Sequence, residues 1–282
     1  LQGARIVLSF PSVGATENLM MAAVLAKGKT TLMNCACEPE IVDLADFLTR
    51  CGAKIYGAGE NTIEIEGVRA LHGCEHTVIG DRIAAATYLA AAAITGGEIA
   101  VSGIEPENLM SMLAMLRKSG NEVFWEKNCC CLKAPPRLQA LPQVRTMPYP
   151  GFPTDMQPQI TTLLALSEGT SIVTETIFET RFKYISELRR MGANISVEGN
   201  AAFVTGVEGF TGARVSAPDL RAGAALVMAG LVAEGYTYVD DIQYIERGYE
   251  NFAEKIRGLG GHMEKIDAED ERAVRKFKMK VS

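Results

Sequence analysis

The sequence predicts an α/β protein in which one unit occurs four times and apolar helices are enclosed by sheets. Four helical patterns end at Gly52, Gly120, Gly192 and Gly260, and glycine after a helix provides the left-handed stop. These glycines follow one another after 68, 72 and 68 residues. Before each helix comes a strand led by glycine, and a helix rich in alanine and leucine lies further upstream. Such self-similarity at a fixed period is the signature of a repeated fold.

Each unit is expected to run helix, strand, helix, strand, strand. In the first unit the last two strands are predicted at 54–56 and 62–65, joined by a turn at 57–61. The second unit departs from this pattern near 124–131, where an aromatic pair and three cysteines stand. Alternating helices and strands imply right-handed crossovers. The helix at 84–94 has almost no polar face, which predicts that it is buried.

The apolar helices begin at short polar residues, namely Ser12, Asp81, Asp155 and Asp219. Each is a good N-cap, because its side-chain oxygen can accept a free backbone N–H. Helix starts also attract anions through those N–H groups and the helix dipole. For the aspartates the residue pattern favours capping but leaves catalysis open.

Four arginines stand near these positions. Arg82 and Arg221 directly follow two of the helix starts, whereas Arg181 and Arg247 lie just past glutamates. Arginine offers a planar fork for carboxylate or phosphate. Any one of them could be a surface ion pair, but the recurring arrangement favours a shared anion pocket.

Composition restricts the class of protein. The chain has 282 residues, 48% of them hydrophobic and 22% charged, with a net charge of −6. A globular core is therefore expected, and neither nucleic acid nor membrane is expected as a partner. The apolar run at 83–94 is shorter than the roughly 20 residues of a membrane helix. With no recognisable secretion signal, a cytoplasmic protein whose natural start lies upstream is expected.

Metal and nucleotide motifs are weak. Seven cysteines and three histidines are present, and no two cysteines have C-x-x-C spacing, so no metal or other cofactor is predicted and the thiols are expected to be reduced. Sequence 28–30 (GKT) lacks the first glycine of a P-loop, and 57–59 (GAG) lacks the third glycine of a dinucleotide fingerprint.

Six stretches carry a resemblance to a known family. They are 12–18 (SVGATEN), 38–43 (EPEIVD), 148–157 (PYPGFPTDMQ), 175–179 (ETIFE), 219–222 (DLRA) and 246–250 (ERGYE). On these motifs the chain closely resembles the enolpyruvyl transferase family, in the branch that acts on a UDP-sugar, over residues 3–265.

The resemblance implies the enolpyruvyl transferase fold, an inside-out α/β barrel built from βαβαββ-type repeats in two domains of three repeats. Residues 1–79 would be the last repeat of the first domain, on the UDP-sugar side. Residues 80–267 would be the second domain. The remaining tail, 268–282, is charged and is expected to be solvated, frayed or helical. The first domain would thus be incomplete.

The implied reaction transfers the enolpyruvyl group of phosphoenolpyruvate to the 3-hydroxyl of UDP-N-acetylglucosamine with release of phosphate, the first committed step of peptidoglycan synthesis. By resemblance Asp155 is the general base and Asp219 a second active-site aspartate. Arg247 is implied both as a catalytic residue and, with Arg181 and Arg221, as a residue that binds anions. The others implied are Ser12, Val13 and Gly14 for the uridine diphosphate, and Ile177 and Phe178 lining the sugar-nucleotide site.

Two alternatives remain open on the sequence. One is the sister reaction of the family on shikimate 3-phosphate, and the other is a non-catalytic UDP-sugar-binding piece. The family's catalytic loop and its Lys-Asn pair are expected upstream of Leu1. The 282 residues by themselves are therefore predicted to be inactive, and a monomer is expected.

Overall fold

The computed structural model describes residues 1–266 and 276–280. The chain divides into two compact units. Unit 1 holds residues 1–80 and 148–151, and unit 2 holds residues 81–147 and those from 152 onward.

Unit 1 contains one βαβαββ repeat. Its elements are β1 (Arg5–Val7), α1 (Val13–Ala23), β2 (Lys29–Met33), α2 (Pro39–Arg50), β3 (Lys54–Tyr56) and β4 (Thr62–Glu66). The sheet order is β1-β2-β4-β3, in which β1 and β2 are parallel and the other pairs antiparallel. Alternate residues of β4, Ile63 and Ile65, are fully buried, as expected for a sheet with one covered face.

Unit 2 contains three further repeats. The first two comprise α3 (Arg82–Ile94), β5 (Glu98–Ser102), α4 (Pro106–Lys118), β6 (Glu122–Glu126), β7 (Cys129–Lys133), β8 (Gln143–Arg145), α5 (Gln157–Leu164), β9 (Thr170–Thr174), α6 (Ile185–Arg190), β10 (Asn194–Glu198) and β11 (Ala201–Thr205). The last comprises β12 (Phe210–Thr211), β13 (Arg214–Ser216), α7 (Leu220–Val232), β14 (Ala233–Glu234), β15 (Tyr236–Asp240), α8 (Gln243–Glu246), α9 (Phe252–Gly258), β16 (Met263–Ile266) and β17 (Lys276–Lys280).

In the described part of unit 2, each repeat contributes one main sheet, and the three sheets enclose the apolar helices. Their orders are β5-β7-β6, β8-β9-β11-β10 and β13-β15-β17-β16, and β12 pairs with β14. In the two four-stranded sheets the first strand runs parallel to its neighbour and the later pairs are antiparallel. This is the pairing of unit 1, so the fold repeats at the level of strand direction.

The apolar helices form the centre of unit 2. Helices α3, α5 and α7 contact one another, and each also packs on the strands of its own repeat. Residues 222–230 of α7 are all buried. Replacing a buried leucine such as Leu226 with alanine typically lowers the free energy of unfolding by about 2–5 kcal/mol. The predicted arrangement, with helices inside and sheets outside, is confirmed.

The four stop glycines also behave as predicted. Gly52, Gly120, Gly192 and Gly260 have φ of 102°, 98°, 96° and 94°, a conformation that L-residues with side chains rarely adopt. Each therefore ends its helix and redirects the chain into a strand. None of the helices in residues 1–266 has the length and apolar character needed to cross a membrane.

Two sequence expectations were wrong. The second repeat keeps the predicted strand pair, because β6 and β7 form an antiparallel hairpin that includes the three cysteines. The tail is not simply solvated, frayed or helical, because Lys276–Lys280 pairs antiparallel with both β15 and β16. It supplies the last strand of the fourth repeat, and Met279 is fully buried. The rest of the predicted tail, at 268–275 and 281–282, lies outside the described residues.

Candidate active site

Three of the predicted site residues meet in unit 2. Asp155 lies just before α5, Arg181 in the loop after β9, and Arg221 in the first turn of α7. Arg181 and Arg221 follow Asp155 by 26 and 66 residues along the chain. The repeated fold brings them together because it places the helix starts of successive repeats side by side.

Asp155 is not an N-cap, contrary to the sequence prediction. It lies inside a 3-10 turn formed by Thr154–Met156, and α5 begins only at Gln157. An N-cap at 155 would bind the N–H groups two and three residues on. The second of these belongs to Pro158, which has no N–H. The carboxylate is therefore directed to other partners.

Two arginines bind the Asp155 carboxylate, one at each oxygen. Arg181 Nη2 donates to Oδ1 at 2.9 Å, and Arg221 Nε donates to Oδ2 at 3.4 Å. The arginine side chains are 16% and 14% exposed, whereas that of Asp155 is 40% exposed. Solvent, and hence a small substrate, can therefore reach the carboxylate while its cations stay inside the protein.

Each guanidinium also lies over an aromatic ring. Arg181 is 5.4 Å from the Phe178 ring centroid, and Arg221 is 5.4 Å from that of Tyr249. Burial of Arg221 disfavours its charged form, but its interactions with Tyr249 and Asp155 outweigh this, so its pKa is raised above the usual value. Arg221 is thus a permanent cation of the site.

The arginines retain unused donors. Arg181 Nε and Arg221 Nη1 are buried and donate to no atom of the described residues. A buried guanidinium donor without an acceptor is costly. These atoms therefore mark where an anionic ligand could bind.

Asp219 and Asp81 have a different role, since both cap their helices. Asp219 Oδ1 accepts from the N–H groups of Arg221 and Ala222, each at 2.9 Å. Asp81 Oδ1 accepts from those of Ile83 and Ala84 in the same way. The capping alternative is the one seen for Asp219, and its catalytic role stays a prediction.

Ser12, Val13 and Gly14 lie in unit 1, at the start of α1. Ser12 is the N-cap, and its Oγ accepts from the N–H of Ala15 at 3.3 Å. Gly14 is exposed, and a Cβ added there would meet no atom within 4 Å. The backbone of this turn is accessible, as contact with a phosphate requires.

The remaining predicted residues lie on loops of unit 2. Ile177 and Phe178 follow β9, and the Phe178 side chain is 51% exposed apart from its contact with Arg181. Arg247 lies directly after α8 and is exposed. Its segment is tied to the site by Tyr249, whose ring lies under Arg221.

Sequence reasoning missed two buried polar networks beneath the site. In the first, Tyr249 Oη and Thr87 Oγ1 are 2.9 Å apart, and Gln159 Nε2 donates to Thr87 Oγ1 at 3.1 Å. These groups link α3, α5 and the segment after α8. The second network is centred on Glu175, a fully enclosed carboxylate that accepts from two hydroxyls and two backbone N–H groups.

No metal centre emerges from residues 1–266 and 276–280, where no three His, Cys, Asp or Glu side chains gather in a way that could hold an ion. The chemistry that the cluster can perform is that of a carboxylate beside two cations. It can bind an anion and accept a proton.

Comparison with known proteins places this geometry in a family. The model of the family described as EPSP synthase (3-phosphoshikimate 1-carboxyvinyltransferase) matches residues 1–256. The chain belongs to the EPSP synthase family. Among solved structures, the enolpyruvyl transferase NikO from Streptomyces tendae matches with a TM-score of 0.81 at 25% identity, covering 92% of this chain and 65% of that one. An EPSP synthase from Acinetobacter baumannii has the same fold, with a TM-score of 0.69 at 19% identity over 92% of this chain and 62% of that one.

Other members of the EPSP synthase family are more similar in sequence. Proteins named UDP-N-acetylglucosamine 1-carboxyvinyltransferase 1 are 53% identical in Caldanaerobacter subterraneus and 55% identical in Symbiobacterium thermophilum, over 92% and 94% of this chain. One named UDP-N-acetylglucosamine 1-carboxyvinyltransferase 2 in Carboxydothermus hydrogenoformans is 54% identical over 94% of the chain. The matched parts are 62%, 60% and 64% of those relatives' lengths.

Proposed function

We propose that this chain forms part of a transferase that moves the carboxyvinyl (enolpyruvyl) group of phosphoenolpyruvate to the 3-hydroxyl of UDP-N-acetylglucosamine and releases phosphate. The carboxylate of Asp155 held between two guanidinium groups carries the proposal. The printed names of relatives at 53–55% identity supply the substrates.

In the proposed mechanism the arginines bind phosphoenolpyruvate. This substrate carries a carboxylate and a phosphate, and the unfilled donors on Arg181 and Arg221 match such groups. We assign Arg247 to the same anion because its segment is joined to Arg221 through Tyr249. Fixed cations beside the reacting centre stabilise the negative charge that is redistributed as phosphate departs.

Asp155 is assigned as the general base. The 3-hydroxyl oxygen adds to C2 of phosphoenolpyruvate while C3 gains a proton, and the hydroxyl proton must be removed as the C–O bond forms. An oxygen of the Asp155 side chain would accept that proton. Phosphate then leaves C2 while a proton leaves C3. The acid that first protonates C3 is not assigned to any residue of this chain.

Residues for the sugar nucleotide are assigned in each unit separately. Ser12, Val13 and Gly14 would contact the diphosphate through the start of α1. Ile177 and Phe178 would line the site beside Arg181, since the loop after β9 presents a half-exposed aromatic ring there. Asp219 would act mainly by fixing the first turn of α7, from which Arg221 projects. Peptidoglycan synthesis and a cytoplasmic setting accompany this function as part of the proposal.

The experiment uses the product of the complete gene. Phosphate release and product mass are measured with phosphoenolpyruvate and UDP-N-acetylglucosamine, and in parallel with shikimate 3-phosphate as acceptor. The latter is included because the family model carries that name. We expect a UDP-sugar product heavier by one carboxyvinyl group. Product from shikimate 3-phosphate alone would overturn the assignment, and binding of the UDP-sugar without turnover would favour a non-catalytic role.

A further inference from the structure

Glu175 is a buried carboxylate with no role in the proposed chemistry. It follows β9 and is only 3% exposed. Placing a charge inside a protein is costly unless hydrogen bonds satisfy it. Its two oxygens accept four hydrogen bonds, all from neutral donors. The water that would solvate this carboxylate has therefore been replaced by a fixed set of hydrogen-bond donors.

Three of the four donors lie on the two segments that carry the ion pair. Thr154 Oγ1 donates to Oε2 at 2.9 Å, and Thr154 is the first residue of the turn that contains Asp155. The N–H groups of Ile177 and Phe178 donate to Oε1 at 2.8 and 3.2 Å. These residues begin the loop that leads to Arg181.

A third segment anchors the carboxylate from the sheet. Thr146 Oγ1 donates to Glu175 Oε1 at 2.8 Å and accepts from the N–H of Thr176 at 2.9 Å. Thr176 Oγ1 in turn donates to the carbonyl of Thr146 at 2.6 Å. Glu175 is thus also hydrogen-bonded to the residue that follows β8.

We infer that Glu175 is a positioning residue that sets the distance between Asp155 and Arg181. One carboxylate fixes the turn of the base and the loop of its cation. The hydrogen bonds of Glu175 go to Thr154, Thr146 and the N–H groups of the loop and not to Asp155 or Arg181, so it acts through those groups. The inference rests on the proposed function, since the pair matters only if Asp155 takes a proton.

The decisive variant is Thr154→Val. Valine has the shape of threonine but no hydroxyl, so only the bond from the turn to Glu175 is lost. Misplacing a catalytic group by about 1 Å can reduce rate on the order of 100-fold, and partial loosening should cost less. We expect kcat to fall about 10-fold, with the KM for UDP-N-acetylglucosamine changed by less than about twofold.

Two matched variants separate positioning from general stability. Thr154→Ser keeps the hydroxyl and should restore kcat to within about threefold of wild type. Thr170→Val removes a hydroxyl at the opposite end of β9, whose partner is Thr205 Oγ1 at 3.3 Å and not a member of the Glu175 network. It should leave kcat unchanged. The melting temperature of each variant is recorded alongside.

Glu175→Gln tests the carboxylate itself. Glutamine keeps the Oε1 acceptor, and the Thr154 hydroxyl can turn to accept from the new amide. We expect a smaller fall in kcat than for Thr154→Val. This order follows from geometry and would be reversed if the negative charge of Glu175 mattered more than its bonds, which would overturn the positioning role.

The outcomes distinguish the two proposals. An inactive wild-type protein overturns the proposed reaction and this inference with it. An active wild type with an equally active Thr154→Val variant overturns the positioning role alone. A variant that is slow and also melts far below wild type, without rescue by serine, assigns Glu175 to stability and again overturns positioning.

Discussion

Asp155 and Asp219 occupy equivalent places in two successive repeats, yet they do different things. Both precede an apolar helix in unit 2. The carboxylate of Asp219 accepts from two N–H groups of its own helix, whereas that of Asp155 binds Arg181 and Arg221. A repeated fold supplies several similar helix starts, and a local change at one of them can free a side chain for another purpose.

The local change is a tight turn and a proline. Thr154–Met156 forms a 3-10 turn, so the helix begins two residues after Asp155. Pro158 offers no N–H at the position where the helix after Asp219 offers that of Ala222. A cap is held by its own helix and is thus already satisfied. A carboxylate that is not a cap can bind cations and substrate.

The largest effect is expected for Asp155→Asn. The amide keeps the shape but cannot act as a base, and general base catalysis is worth about 10²–10⁴ in rate. We expect kcat to fall at least about 100-fold, with the affinity for UDP-N-acetylglucosamine changed less than about threefold. Steady-state kinetics and calorimetry on the complete gene product measure both. Unchanged turnover would remove Asp155 from the role of base.

Arg221→Lys should have the next largest effect. Lysine keeps the charge but loses the planar fork that can bind Asp155 and an anion together. The KM for phosphoenolpyruvate is expected to rise about 10-fold. The control is Arg214→Lys, because Arg214 pairs with Asp240 at 2.6 Å but is 60% exposed. If both variants had the same KM as wild type, the site would not bind the anion through Arg221.

Asp219→Ala should act mainly on stability. Loss of an aspartate N-cap costs about 0.5–2 kcal/mol, which would lower the midpoint of urea unfolding. Asp219→Asn retains an oxygen that can cap and should recover most of the loss. A fall in kcat for Asp219→Asn as large as for Asp155→Asn would contradict the capping account and support the catalytic role implied by family resemblance.

The smallest effect is expected for Asp81→Asn. Asp81 caps α3 with the same two bonds that Asp219 makes, and asparagine is an equally good cap. The melting temperature should change by no more than about 2 °C, on the order of the shift that a few tenths of a kcal/mol produces. Its kcat should equal that of wild type. A larger loss of turnover would mean that this helix start also serves the chemistry.

Local features of the fold could be predicted because local chemistry determines them. The stop glycines need positive φ, and an apolar helix without a polar face must be buried. The meeting of Asp155 with Arg181 and Arg221 could not be derived from local pattern, because it depends on how two successive repeats pack against each other. The recurring arrangement favoured a shared pocket for the arginines, and only the family resemblance placed Asp155 with them in one site.

Two features that were not predicted, the buried position of Glu175 and strand β17, have a recognisable pattern in the sequence. Ser171 and Val173 in β9 and Glu175 directly after it stand at alternate positions, and all three are buried. Period-2 alternation could therefore have placed Glu175 inside the protein. The stretch 276–280 (KFKMK) alternates in the same way, and it would have predicted β17. Its position next to a charged stretch obscured the pattern.

The central claim is that Asp155, and not Asp219, has been freed from its helix to act on substrate. The most direct test is the pre-steady-state rate of phosphate release by Asp155→Asn and Asp219→Asn, measured with both substrates saturating. The account predicts a fall of about 100-fold or more for Asp155→Asn and less than about fivefold for Asp219→Asn. Equal falls in the two variants, or a larger fall for Asp219→Asn, would contradict it.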